Sequence, residues 1–448
     1  MVEPSAAFAG EVSVVCVGTE REVGALASSL RGFLNVSIRG ADACLADPDP
    51  RAVHIFFNEF RHDLRDCARG LVRRGIPTIY AIDGILEWRN SWEYPEGGSS
   101  LFAMRPVISH KVACIGRSQA RVLAAWGNAA KCELVGMPRL DALAGRMRLR
   151  PAADAPVRVL VATATNPGFD AAQKETTRRS LRDLDAWARA HTAIGGRQIE
   201  FVWRLTGGLE REINPFGRHS SPAEEKLADV LEQIHAVITT PSTIQLEAML
   251  LGHPVALLDY HNRPQYVPAA WVVSCREHLD QVIPDLLAPP ESRLMHQDYL
   301  LHDALECWTP AAPRLARLVE LVHAGATAAR ESGAVLKYPP LLLESGRETT
   351  GRELEMFDLF PNQAGFANHD IALLQAELED CAAQLRLEQS RCKMQQLRCR
   401  QLEQEVERQR MIRRLLTWFP GPRKLARWYR SWRSDSGASA PSPGEKSP

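Results

Sequence analysis

From Glu11 to about Arg150, short and nearly continuous apolar runs alternate with helical patterns. The runs VSVVCVG, VHIFF, IPTIYAI, VACIG and CELVG are separated by REVGALASSLRGFL, by a helix ending near Arg74 and by polar segments. Runs of this kind suit strands buried on both faces, and their alternation with helices predicts βαβ units in a parallel sheet. The stretch RLRPAADAP, Arg148 to Pro156, breaks every period with prolines and small residues and reads as a linker. A second series follows: VRVLVAT, a polar helix ending near His191, IEFVWRL, an acidic helix around Glu224 to Ile234, HAVITT, TIQLEAMLL, PVALLDY and helical sequence to about Ala324. The expected fold is α/β, with two Rossmann-like doubly wound domains over residues 1–150 and 151–326.

The period dissolves over residues 327–368, which read as a linker with room for one short docked segment. From Ile371 the apolar spacing becomes three-then-four. Ile371, Leu374, Leu378, Cys381, Leu385, Cys392, Cys399, Leu402, Val406 and Leu416 share one heptad seam, which polar Glu388, Gln395, Gln409 and Arg413 interrupt. Residues 369–417 are expected to form a coiled coil, with a parallel homodimer as its simplest partner state; a single helix packed on the body is the alternative. The stretch RRLLTWFPGPRKLARWYRSWR mixes Trp418, Phe419, Trp428, Tyr429 and Trp432 with basic residues and no acid, so residues 418–448 read as a basic aromatic segment followed by a polar tail. Rings at headgroup depth and cations on anionic lipid would suit such a segment to peripheral membrane contact. The final SDSGASAPSPGEKSP has the composition of a disordered chain.

Charge narrows the function classes. The 448 residues carry 54 Lys and Arg against 54 Asp and Glu, so no global field marks a nucleic-acid binder. The ten cysteines show no CxxC pair and no zinc spacing, which predicts reduced thiols in the cytoplasm and no structural metal. The N-terminal stretch has an acid where a secretion signal needs positive charge, and no apolar run approaches a membrane span. A cytoplasmic location, with peripheral contact at the inner membrane, is therefore expected.

The stretch TTPSTIQLEAMLLGHPVALLDY, Thr239 to Tyr260, concentrates the candidate chemistry. Open α/β sheets bind ligands beyond the carboxyl ends of their strands, and this segment directly follows HAVI. Ser242 and Gln245 form a capping-box pattern that would start a helix at Thr243, and Gly252 with Pro254 would stop it. Backbone amides there, with the hydroxyls of Thr240, Ser242 and Thr243, suit a phosphate. Glu247, one turn further in, can accept hydrogen bonds from the vicinal hydroxyls of a ribose. The bland alternative is a simple cap and a Glu247 paired with a surface arginine.

This stretch resembles the donor-site segment of glycosyltransferases with the two-Rossmann GT-B fold. VGMPRLDAL, from Val135, is similar to the Gly-x-Pro-Arg-x-Asp segment of CDP-glycerol glycerophosphotransferase relatives. YAIDGILEWRNSWE, from Tyr80, resembles an acceptor-side loop of bacterial surface-carbohydrate biosynthesis proteins. The resemblance covers Glu11 to about Ala324 and implies a transferase. The glycerophosphotransferase relatives carry His-Gly and His-Pro where this chain has Asp83-Gly84 and Leu205-Thr206, a departure that bears on polyol-phosphate transfer.

Arg204 can clamp a diphosphate, or make an ordinary salt bridge at a strand end. The loop TATNPG, with Thr163, Thr165 and Asn166, is a second candidate for donor contact, or plain turn chemistry. On the acceptor side Asp83, after IPTIYAI, is the first candidate for the base and Glu87 the second, while Asp-Gly is also a common turn pair. Trp88 offers a stacking platform, Arg89 an anion partner, and Gly18 with Thr19 a close backbone approach that a packing turn explains equally. Asp47-Pro48-Asp49 imitates a metal-binding Asp-x-Asp pair but lacks a preceding strand run and reads as a loop.

The leading expectation is a metal-independent GT-B glycosyltransferase, without cofactor, that moves a sugar from a nucleotide-sugar to a glycan or lipid-linked acceptor in surface polysaccharide biosynthesis. The alternatives are a CDP-glycerol-type polyol-phosphate transferase and a catalytically silent scaffold acting through its coiled coil.

Overall fold

The computed structural model describes residues 12–87, 104–143, 146, 155–213, 225–261, 265–342, 364–418 and 421–435. It divides into two units, residues 1–361 and 362–448. In the first unit, β1 (Ser13–Val17), β2 (Asn35–Arg39), β3 (Val53–Phe56), β4 (Thr78–Ala81), β5 (Lys111–Cys114) and β6 (Cys132–Leu134) form a parallel sheet in the order β2-β1-β3-β4-β5-β6. Five of these runs were legible in the sequence. The sixth, β2 (NVSIR), was not, because this edge strand is only partly buried and carries no continuous apolar run. Its parallel register with β1 runs from Ser13↔Asn35 to Val17↔Arg39.

The second sheet contains β7 (Val157–Ala162), β8 (Ala193–Ile194), β9 (Arg197–Arg204), β10 (Ala236–Thr239), β11 (Val255–Leu258) and β12 (Trp271–Val273), ordered β12-β11-β10-β7-β9-β8. Only the short β8 runs antiparallel, in a hairpin with β9. Both sheets are covered on two faces. On the first, α1 (Glu20–Leu30) buries Val23, Ala27 and Leu30 on one side, while α3 (His62–Arg73) buries Leu64, Cys67 and Leu71 on the other. On the second, α5 (Ala171–Ala190) and α9 (Leu279–Leu287) cover one face, while α7 (Leu227–Glu232) and α8 (Ile244–Leu250) cover the other. These are the two Rossmann-like, doubly wound domains expected from the apolar pattern.

The chain does not finish on the second sheet, and this departs from the expected 151–326 segment. After α10 (Glu291–Ala304), α11 (Ala311–Ser332) buries Leu315, Leu318, Val319 and Val322 against β1, β3 and α1 of the first sheet. Asp141 accepts the backbone N–H groups of Ala311 and Ala312 at 2.8 Å each, satisfying amides that a helix start leaves open. The helix then ends at Gly333, whose φ of 66° is left-handed. Part of the expected linker is docked. Glu133 accepts the N–H groups of Leu341 and Leu342 at 2.8 and 3.0 Å. Lys111, fully buried and 2.7 Å from Glu133, donates to the carbonyl of Pro339, also at 2.7 Å. The remainder of that linker, residues 343–363, lies outside the described residues.

The second unit contains α12 (Ala364–Trp418), one continuous helix of 55 residues, and α13 (Pro422–Asp435). The helix spans the heptad region, but nothing in it shows a second strand of a coiled coil. No helix among the described residues is long and apolar enough to cross a membrane.

Candidate functional site

A cavity of about 460 Å³ opens between the two sheets. Its walls come from the ends of β4, β7, β9 and β10, the carboxyl edges at which open α/β sheets bind ligands. On the second sheet β7 lies between β9 and β10, so the loops leaving β7 and β10 flank the point where the chain changes direction across the sheet. The dimensions suit a small-molecule site, for which about 300–1,000 Å³ is usual.

From the second sheet, Thr163, Thr165, Arg204, Ser242, Thr243 and Glu247 all line this cavity. Hydrogen bonds between the loops set their positions. Thr163 Oγ1 lies 2.9 Å from Thr206 Oγ1 and accepts the Thr206 N–H at the same distance, joining the ends of β7 and β9. Thr240 is buried, and its hydroxyl accepts the Ala164 N–H at 2.9 Å. It holds the β7 loop in place and is not among the lining residues, unlike its expected role at a phosphate. Arg204 donates to the Glu225 carbonyl at 2.9 Å, which helps hold its guanidinium on the cavity wall.

The expected capping box does not form. The residue before α8 is Thr243, in a helical conformation, and no side chain caps it. Gln245 instead reaches the carbonyls of Val267 and Pro268 at 3.3 and 2.9 Å, and Ser242 Oγ lies 3.2 Å from Thr239 Oγ1. A buried amide is drawn to the nearest unsatisfied carbonyls, which belong to a loop distant in sequence. The helix still ends as expected: α8 stops at Leu250, and Gly252 has a φ of 75°.

Glu247 meets its partner across the cavity. Its Oε1 accepts from Arg139 Nη1 at 2.7 Å, and Arg139 Nε donates to Asp83 Oδ1 at 2.9 Å. One guanidinium from the first domain thus joins the Asp83 carboxylate of that domain to the Glu247 carboxylate of the second. Arg139 belongs to the short 3-10 turn Pro138–Leu143 and lines the cavity, yet sequence reasoning did not select it as a site residue. The only signal was its place in VGMPRLDAL, a segment that now shows three separate tasks. Gly136 packs so closely on the Glu306 carbonyl that an added Cβ would collide, Arg139 bridges the cleft, and Asp141 caps α11.

On the first domain, Gly84, Ile85 and Glu87 line the cavity. A Cβ built on Gly84 would lie 3.6 Å from Thr243 Oγ1, which measures how near the two walls come. Asp83 is not among the lining residues; its side chain is 56% exposed, and it reaches the site through Arg139. Loss of solvent around the cleft raises its pKa above the ordinary carboxylate value, and the Arg139 charge and hydrogen bond oppose that rise. Gly18 and Thr19 are not among the cavity residues. The Thr19 amide and hydroxyl donate to Glu22 at 2.9 and 2.8 Å, opening α1, and a Cβ on Gly18 would press on Phe57 and Val23 at 3.0 Å. Trp88 and Arg89 lie outside the described residues. Asp47 follows the helix α2 (Ala41–Ala46), 97% exposed and away from the cavity, in keeping with a loop.

No protein-family model matches this chain, and no curated protein matches it in sequence. Solved structures do show likenesses. A UDP co-structure of MnaA from S. aureus has 12% identity and a TM-score of 0.48, covering 74% of this chain and 99% of its own. A soaked variant of the wall teichoic acid polymerase TagF has 10% identity and a TM-score of 0.47, covering 70% and 88%. UDP-GlcNAc 2-epimerase from Neisseria meningitidis bound to UDP-GlcNAc has 14% identity and a TM-score of 0.46, covering 69% and 99%.

Proposed function

We propose that the cleft binds a nucleotide-activated sugar and transfers its glycosyl group to a hydroxyl of a surface-glycan acceptor. The observation that supports this is the convergence of Arg139, Arg204, the hydroxyls of Thr165, Ser242 and Thr243, and Glu247 on one cavity between two sheet edges. Two guanidiniums and three hydroxyls match the needs of a diphosphate, and Glu247 retains capacity to accept from ribose hydroxyls beyond its bond to Arg139.

In this reading Asp83 takes the proton of the acceptor hydroxyl as its oxygen bonds to the anomeric carbon. The bond from that carbon to the donor phosphate breaks, and the nucleoside diphosphate leaves with both electrons. Arg139 and Arg204 offset the charge that gathers on the leaving group. Glu87, which lines the cavity itself, is the second candidate for the base. The acceptor is membrane-linked in this proposal, which suits α13: Arg423, Arg427 and Arg430 share one helical face, and Trp428, Tyr429 and Trp432 share the opposite one.

The test is a binding and turnover panel with UDP-, GDP- and CDP-linked donors carrying labelled transferable groups. A labelled glycosyl product from a nucleotide-sugar is the expected result. Glycerol phosphate transfer from CDP-glycerol alone would replace the glycosyl reading, and failure to bind any of the donors would remove it.

A further inference from the structure

We propose that α12 pairs with α12 of a second copy of this chain as a parallel, in-register coiled coil. This is independent of what the cleft binds. A helix of 55 residues is roughly 80 Å long, and its apolar seam is open at the side chains the structure describes. Leu378, Leu385, Leu402 and Val406 are between 49 and 71% exposed, and Cys392 and Cys399 are exposed beside them. All six occupy first or fourth positions of the same heptad. The contact that α13 makes lies elsewhere on the helix: the Arg408 guanidinium sits 5.4 Å from the Trp432 ring centre, and Arg408 is two residues beyond the seam position Val406.

Charge selects the occupant and its direction. In a parallel pair, the residue before each first position faces the residue five further along the other helix. Arg398 then meets Glu403 of the second copy, and Glu405 meets Arg410, each contact occurring twice by symmetry. Arg391 meets only the neutral Gln396, so none of the described flanking pairs from Arg391 to Arg410 opposes like charges. The polar seam residues fix the register. In register, Gln395 faces Gln395 and the two amides can hydrogen-bond to each other, whereas a slip of one heptad would set Gln395 against Leu402. An antiparallel pairing centred on this region would instead match Arg398 with Glu405 and leave Glu403 and Arg410 without opposite charges.

The full-length protein with Cys381→Ser tests the arrangement through two reporters. Light scattering on the eluting protein is expected to give twice the 49.8 kDa chain mass. Copper-phenanthroline then oxidises facing thiols: two S–H groups lose two protons and pass two electrons to copper(II), and one S–S bond forms. Facing cysteines at first positions fall within the Cα separation of about 4.4–6.8 Å that a disulfide needs. Cross-linking is expected with Cys392 or Cys399 retained alone and is lost when both are serine. Arg398→Glu is expected to weaken the dimer roughly tenfold, and added Glu403→Arg to restore it. A monomeric mass overturns the proposal, as does a dimer that forms no disulfide through either cysteine. Restoration by Glu405→Arg in place of Glu403→Arg overturns the parallel direction.

Discussion

Arg139 concentrates the electrostatics of the cleft in one side chain. It offsets the Asp83 and Glu247 carboxylates and, in the proposed reaction, a diphosphate as well. Arg139→Gln is expected to weaken donor binding roughly ten- to a hundredfold, since a charge-assisted hydrogen bond contributes about 1.5–3 kcal/mol; titration calorimetry measures it. The same variant makes a pH prediction. Desolvation raises the pKa of Asp83 while Arg139 lowers it, so removing the guanidinium lets the pKa climb further. The deprotonated base then appears only at higher pH, and the acidic limb of the activity profile is expected to move upward. A limb that stays in place would transfer the base role from Asp83, with Glu87 the next group to test. Glu247→Ala is expected to reduce donor affinity by at least tenfold; unchanged binding and turnover would sink the ribose assignment.

At the scale of elements, the first domain is completed by a chain segment that arrives from the far side of the second. The segment passes close to two glycines: a Cβ at Gly116 would collide with the Ala304 carbonyl, and one at Gly136 with that of Glu306. Gly136 also has a φ of 92°. Gly136→Ala is therefore expected to lower the thermal midpoint measurably and to weaken donor binding as well, because Arg139 stands three residues away. Beneath the docked strap, Lys111 and Glu133 are both fully buried and satisfy each other. Lys111→Met leaves the Glu133 charge uncompensated and is expected to cost about 3–5 kcal/mol in denaturant unfolding. The apolar stripe of α11 was visible as a buried face, but a stripe specifies burial and not the surface that supplies it. Its attachment to the first sheet depends on Asp141 and on the contacts of Leu315, Leu318 and Val319.

For the whole molecule, the second unit contributes a rod and a helix with aromatic rings on one face and arginines on the other. Full-length protein is expected to co-sediment with vesicles containing anionic lipid and to release as salt rises, because the cation contribution is screened over a Debye length of about 8–10 Å. Trp428→Ala with Trp432→Ala is expected to reduce that binding. Binding that ignores both salt and these substitutions would remove α13 from the interaction.

The sequence by itself determined the local elements wherever one physical signal dominated. Continuous apolar runs bounded by turn signals suit strands covered on both sides, so β1, β4, β7, β10 and β11 were legible, and three-then-four spacing announced the long helix. β12 and the edge strand β2 were not: β12 was absorbed into the sequence read as helical after PVALLDY, and a half-exposed edge strand carries no continuous apolar run. The tertiary structure alone decided which side chains meet. Ser242 and Gln245 spelled a cap, yet packing offered Gln245 the carbonyls of Val267 and Pro268 instead. Asp83, Arg139 and Glu247 are separated by 56 and 108 residues along the chain, and no periodicity records their convergence. Hydrogen bonds and ion pairs act over a few ångströms of space, whereas a sequence pattern reports only whether a position faces water or protein.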